Sequence, residues 1–320
     1  MIRKSTLLFS LLFASSCFFF AVMRRIMQPE GVDYDRNAVD VARDIHQSTY
    51  GISSDPLMQF SIVFSALIHD ADHTGLTNAE LIKLKTRASQ VYREKSVAEQ
   101  NSVDLAWQLL FDSRFRELRA CIYTTKEELH RFRQLIINAV MATDIADKEL
   151  KQLRDSRWGD AFYKKECALD INGNDGNDAN LEKTNLDRKA TIVFECIVQA
   201  SDIIHCMQHW QTYQKFNKRL FEERYLAWLN GHFDKDPSLG WYGGELWFYD
   251  NYIIPLAEKL NKCGVFGVSY DENLTWAREN RREWESKGKE IVADMASEMR
   301  AKYMDRVARR EKELLEQQEE

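Results

Sequence analysis

The sequence predicts an all-α protein, a compact multi-helix domain, on three observations. Apolar residues recur at spacings of three and four through most of the chain, the period of a helix with one buried face. Helix-start signals stand immediately before several of those stretches. No stretch alternates apolar and polar residues as a half-buried strand does. With 13 glycines and 4 prolines in 320 residues, little interrupts long helices.

The elements follow in chain order. MIRKST leads into the apolar run LLFSLLFASSCFFFAVM, residues 7–23, with basic residues on both sides. This run is short for an untilted membrane span and long for a signal-peptide core. Residues 1–27 therefore read as a hydrophobic N-terminal segment, either a membrane anchor or a cleaved or non-native leader. Asp55 is placed to cap a helix that has Pro56 at its first position. The stretch from Leu57 to Ile68 is apolar almost all round, which predicts a central helix. Thr77 with Glu80 reads as a capping box, and Ser96 with Glu99 as another. ELHRFRQLIINAVMATD and KATIVFECIVQASDIIHCMQHWQTYQKFNKRLFEERYLAWL carry helical spacing. Between them ALDINGNDGNDANLEKTNLD, residues 168–187, reads as a solvent loop. Asp170, Asn172 and Asn174 imitate a calcium loop, but Asp175 stands where its glycine belongs and Leu181 where its glutamate belongs. Residues 28–290 make the predicted catalytic domain, and residues 291–320 a charged, solvated C-terminal helix.

Charge and cysteines narrow the class. A net charge of −6 carries no basic footprint, so no nucleic-acid partner is expected. The six cysteines are scattered without a CxxC pair, as reduced thiols are. That pattern predicts a cytoplasmic catalytic region, membrane-anchored if residues 7–23 act as an anchor.

The chemistry concentrates in SALIHDADHTGLTN, residues 65–78. An apolar helix runs into His69, Asp70, Asp72 and His73. Imidazole with carboxylate suits zinc, and carboxylate with water suits magnesium or manganese. If helical geometry persists past His69, Asp70 and His73 share a face. Alone, such a motif also arises from ordinary helix-end capping.

It does not stand alone. HDADHTGLTN resembles the HDxDHxGxxN signature of class I cyclic-nucleotide phosphodiesterases. SVAEQNS, RQLIINAVMATD, QASDIIHCMQHWQTYQKFNKRLFEE and GGELWFYDNYIIPLAEKL resemble later segments of that family in the same order. The phrases TYGISSDP and DNYIIPLA resemble its diatom and algal members. The resemblance implies an all-α HD-type catalytic domain that hydrolyses 3′,5′-cyclic nucleotides to 5′-monophosphates in signal transduction. It implies two divalent ions, zinc with magnesium or manganese. His69, Asp70 and Asp202 would be metal ligands, with Asp70 and Asp202 also facing substrate. His73 and Asn78 would support the metal waters, with Asn78 also facing substrate, and Glu99 would lie near the nucleophile. Glu245 would take the place of the family's purine-binding glutamine, and Phe248 that of its aromatic clamp.

The pattern also breaks. The family carries an upstream HNxxHAxxV motif that supplies a general acid and another metal histidine. The seven histidines here are 46, 69, 73, 130, 205, 209 and 232, and none starts an HNxxH. The first metal site is therefore incomplete, and His46 is the sole upstream substitute. QNS replaces NHH, and Glu245 replaces glutamine, leaving cyclic AMP against cyclic GMP open. The competing expectation is a catalytically dead relative that binds nucleotide or a partner. His205 and His209 would follow Asp202 on one helical face, as core or supporting groups.

Overall fold

The computed structural model describes residues 24–26, 28, 32–163, 175–265 and 271–319. Among these there is no strand. Helix α1 spans Ala38–Ser48, and a 3-10 turn at Ile52–Ser54 leads to α2, Pro56–Ile68. Then come α3 (Asn78–Lys83), α4 (Arg87–Val91), α5 (Val97–Leu110), α6 (Arg116–Ile122), α7 (Lys126–Met141) and α8 (Lys148–Phe162). The second half holds α9 (Asp175–Asp202), a 3-10 turn (Ile204–Met207), α10 (Trp210–Leu229) and α11 (Trp241–Phe248). A π segment, Tyr249–Ile253, joins α11 to α12 (Ile254–Cys263), and α13 (Glu272–Lys302) and α14 (Met304–Glu319) complete the order.

The core is built around α9. Val193, Phe194, Ile197, Val198 and Ala200 are fully buried, because TIVFECIVQAS is apolar except along the face of Glu195 and Gln199, which are met by Arg157 and the Ala142 carbonyl. Helix α9 packs against α2, α7, α8 and α12. A satellite cluster joins α2, α5 and α7 through Phe60, Phe64, Trp107 and Phe132. Helix α2 starts as its sequence predicts: the Asp55 side chain accepts from the Met58 N–H at 3.0 Å, with Pro56 in the first turn. The Thr77–Glu80 capping box forms in full at α3.

Four expectations are corrected. Ser96 and Glu99 do not make a capping box. Ser96 has a left-handed backbone with φ 37°, and its hydroxyl donates to Asp144 Oδ2 at 2.8 Å instead. A buried carboxylate partner has outcompeted the local cap. The expected loop over 168–187 is helical from Asp175 onward. Extending an already packed helix adds a hydrogen bond per residue without a new nucleation cost. The calcium-loop positions Asp170, Asn172 and Asn174 lie outside the described residues. The C-terminal region is not wholly solvated: residues 291–302 continue α13, and Val292, Met295 and Met299 are buried. Finally, the localisation reading does not stand. Among the described residues no helix is long and apolar enough to cross a membrane. The anchor expected over residues 7–23 lies outside the described residues.

The chain also breaks after Asp202, where sequence spacing had predicted continuous helix. The buried Asn280 of α13 holds that break, donating from Nδ2 to the Cys206 carbonyl at 3.0 Å and the Gln208 carbonyl at 2.7 Å. Two carbonyls that no helix ladder serves are thereby satisfied. Asn280→Ala is expected to cost about 1–3 kcal/mol, the scale of one unpartnered carbonyl, because the Tyr249 hydroxyl still donates to the Cys206 carbonyl at 3.4 Å. Urea unfolding monitored by circular dichroism measures it; a loss below about 0.5 kcal/mol would mean that water replaces the amide.

Candidate metal centre

The C-terminus of α2 and the end of α9 meet at one point. His69 caps α2, and Asp202 is the last residue of α9. His69 Nε2 lies 3.4 Å from Asp70 Oδ2 and 3.5 Å from Asp202 Oδ1. One ligand atom from each of the three falls within 4.8 Å of the others. The imidazole is buried, while Asp70 and Asp202 are partly open to solvent.

The tautomer follows from the neighbours. His69 Nδ1 sits 2.8 Å from the Ala66 carbonyl, which can only accept, so Nδ1 carries the proton. Nε2 then faces the two carboxylates. It is buried and has no hydrogen-bond partner. A neutral nitrogen lone pair aimed at two anions is unfavourable unless a cation stands between them. Without a metal, a proton takes that role. Burial opposes the His69 cation, but Asp70, with Asp202 and the Ala66 carbonyl, outweighs it and pushes its pKa up to about 10. Burial likewise opposes ionisation of Asp202, but the facing His69 imidazole holds it below the usual carboxylate range. One imidazole and two carboxylates fit a divalent cation on chemistry as well as distance.

A second polar cluster flanks the first. Asn78 donates from Nδ2 to Glu99 Oε2 at 2.9 Å and to Asp144 Oδ2 at 3.2 Å, and its Oδ1 accepts from the Ala98 N–H at 2.9 Å. Burial raises the Glu99 pKa, as does Asp144, while Asn78 and His73 pull it down. His73 is not on the helical face of Asp70. Helix α2 stops at Ile68, and His73 lies in the following turns, its Nδ1 accepting from the Gly75 N–H at 3.1 Å. Its electrostatic influence reaches both Glu99 and Asp202. Asp144, the last residue of the MATD phrase, was not singled out from sequence. Its backbone and hydroxyl partners around one carboxylate are visible only in the fold.

The remaining candidates divide. Glu245 Oε2 accepts from Tyr213 Oη at 2.7 Å, and Glu245 lines a groove of about 310 Å³ between α10 and α11. Phe248 is not in that groove's wall. It stacks on Tyr252, centroids 5.3 Å apart. The buried Tyr252 hydroxyl in turn feels the Asp202 charge. His205 is a neutral core histidine against Phe216, its pKa pushed down to about 4 by burial that Asp202 only partly offsets. His209 precedes α10 and packs on Trp276. Neither shares a helical face with Asp202. His46 lies on α1 with Nδ1 3.0 Å from Ser54 Oγ and is outside the His69 cluster.

The 3′5′-cyclic nucleotide phosphodiesterase family profile matches residues 36–231. The human dual specificity calcium/calmodulin-dependent 3′,5′-cyclic nucleotide phosphodiesterase 1C is 27% identical over 193 residues, covering 58% of this chain and 23% of that protein. The probable 3′,5′-cyclic-AMP phosphodiesterase pde-4 of Caenorhabditis elegans is 28% identical over 207 residues, 62% of this chain and 28% of that one. The chain thus spans about a quarter of the length of these relatives. The phosphodiesterase domain of Salpingoeca rosetta rhodopsin phosphodiesterase shares the fold, with a TM-score of 0.57 and 20% identity over 87% of this chain and 83% of that structure.

Proposed function

This chain belongs to the 3′5′-cyclic nucleotide phosphodiesterase family, and from that premise we propose that it acts on 3′,5′-cyclic nucleotides, opening the ring to a 5′-monophosphate. The observation that carries the reading is the buried, unpartnered Nε2 of His69 between Asp70 and Asp202. In this reading those three residues hold a first divalent ion, zinc, and Asp70 also faces a second, magnesium or manganese. When bound, the ions supply positive charge for the phosphate oxygens and make water a better nucleophile.

The chain's own residues supply the rest. Asp70 and Asp202, partly open to solvent, fix where the phosphate can approach. Glu99, its pKa raised by burial, is suited to hold or accept a proton. His73 shares that field and can orient water between the clusters, and Asn78 keeps the Glu99 carboxylate in place. Glu245 offers hydrogen bonds to a base edge, and the Phe248–Tyr252 stack offers an aromatic surface outside the Glu245 groove.

The test is phosphorus NMR of cyclic AMP and cyclic GMP incubated for hours with concentrated protein, zinc and magnesium. The expected product is the 5′-monophosphate alone, lost in His69→Ala. Formation of 3′-monophosphate, or neither binding nor conversion, would reject the reading. A binding-only role is favoured by one observation: His46 is engaged with Ser54 away from the cluster.

A further inference from the structure

A cavity of about 590 Å³ lies between the start of α10 and one face of α13. Trp276, Glu279, Asn280, Glu283 and Lys287 stand at helical spacings of three and four on α13, so they share that face. His209 and Trp210 form the opposing wall, and the exposed Arg282 also borders the cavity. No residue of the His69 or Glu99 clusters lines it.

Two acceptors on the α13 face lack a hydrogen bond. The Asn280 Nδ2 protons are committed to the Cys206 and Gln208 carbonyls, so the amide cannot be turned round. Asn280 is wholly buried, and its Oδ1 has no partner. One turn on, Glu283 Oε2 is buried and likewise has no hydrogen bond. The Lys287 ammonium approaches that oxygen without hydrogen-bond geometry. A buried acceptor without a donor is costly. Two of them one helical turn apart match a group that carries several N–H donors, as an ammonium does.

The opposing wall carries the opposite polarity. Helix α10 has His209 at its N-cap and no side chain that caps it. The first N–H groups of this 20-residue helix therefore lack a side-chain acceptor at the positive end of the helix dipole. Asn280 reaches the Gln208 carbonyl at 2.7 Å, two residues before α10, so the orphan acceptor and the bare helix start are neighbours. The Arg282 guanidinium adds further donors at the same cavity. Trp210 and Trp276, both half-buried, supply flat apolar surface, with the His209 ring 4.9 Å from that of Trp276.

We propose that this cavity binds a free amino acid with an apolar or aromatic side chain. The ammonium donates to Asn280 Oδ1 and Glu283 Oε2 and takes over the Lys287 contact. The carboxylate accepts from the first N–H groups of α10 and from Arg282. The side chain lies on the indoles. The exposed His209 ring is the part of the wall that moves as the ligand enters. A purely cationic ligand would leave the helix start bare and oppose its dipole. A purely anionic one would meet Glu279, Glu283 and the Asn280 lone pair. A zwitterion serves both walls at once.

Calorimetric titration of the full chain with L-phenylalanine tests this, with no metal added so that chelated amino acid contributes nothing. Binding is expected with a Kd at or below about 1 mM, in the range of a small ligand. L-Phenylalaninamide lacks the carboxylate, and N-acetyl-L-phenylalanine lacks the ammonium. Each is expected to bind at least about tenfold more weakly, the scale of one charge-assisted hydrogen bond. Glu283→Gln is expected to weaken L-phenylalanine about tenfold. Trp276→Leu is expected to weaken it by a similar factor, and it carries the test if Glu283→Gln does not fold. No binding of L-phenylalanine at about 10 mM overturns the proposal. Equal binding of either blocked analogue, or undiminished affinity in the variant, overturns it as well. With no nucleotide or metal present, each of these outcomes leaves the phosphodiesterase reading where it stands.

Discussion

Asp202→Ala is expected to weaken zinc binding by roughly 100-fold, the scale of losing one charged ligand interaction. The reason is geometric. His69 and Asp70 come from one end of α2, and only Asp202 reaches the same point from α9. Three protein ligands are the usual minimum for a catalytic zinc, so removing one leaves a pair that water must complete. The effect reads out as stability. Metal at 100 times its dissociation constant stabilises the native state by about 2.7 kcal/mol, and a 100-fold weaker site at the same concentration gives about 0.4 kcal/mol. Thermal melts with and without zinc therefore separate the two proteins. Without metal the variant is expected to lose only about 1–2 kcal/mol, because Asp202 is partly exposed and Asp70 still faces His69. Equal zinc stabilisation of both proteins would remove Asp202 from the site.

What was legible in the sequence depended on whether the signal was local. The all-helical class, the Asp55 cap and the Thr77–Glu80 box rest on contacts within one or two turns, and the fold reproduces them. Joining His69 to Asp202 across 133 positions was not a local inference. It came from resemblance to a family, and the fold brings the two side chains to 3.5 Å. Ser96 was misread because its partner, Asp144, is 48 residues away and buried with it. The break after Asp202 was invisible because its support is an asparagine on α13, and no periodicity within 199–223 marks it. A hydrogen-bonded chain from Trp241 through Asn217 and Tyr213 to Glu245 was hidden for the same reason: each link joins different parts of the sequence, while composition shows only common residue types.

The largest expected effect is on turnover of the natural substrate relative to an activated one. Opening a cyclic phosphate expels the 3′ oxygen as an alkoxide, a poor leaving group that needs a proton in the transition state. Among the described residues the groups nearest the cluster are ill placed to give it. The neutral, buried His205 packs on Phe216, and His46 is held by Ser54 outside the cluster. His73 spends Nδ1 on the Gly75 N–H. General acid–base catalysis contributes typically about 10²–10⁴-fold, so kcat/KM for cyclic AMP and cyclic GMP is expected to fall short of an acid-assisted enzyme by roughly that factor. A p-nitrophenyl phosphodiester needs no such proton, because nitrophenolate leaves readily as an anion. The 320-residue chain with zinc and magnesium is therefore expected to cleave bis(p-nitrophenyl) phosphate measurably while turning over cyclic nucleotides slowly. Asp202→Ala should abolish both, since both need the same cation. Glu99→Gln should slow both if it handles the proton of the attacking water, a step common to the two substrates. Rapid hydrolysis of cyclic nucleotide by the unaltered chain, abolished by Asp202→Ala, would show that a group of this chain does protonate the leaving oxygen. His73→Asn would then be the first variant to measure, because His73 is the histidine whose charge reaches both Asp202 and Glu99.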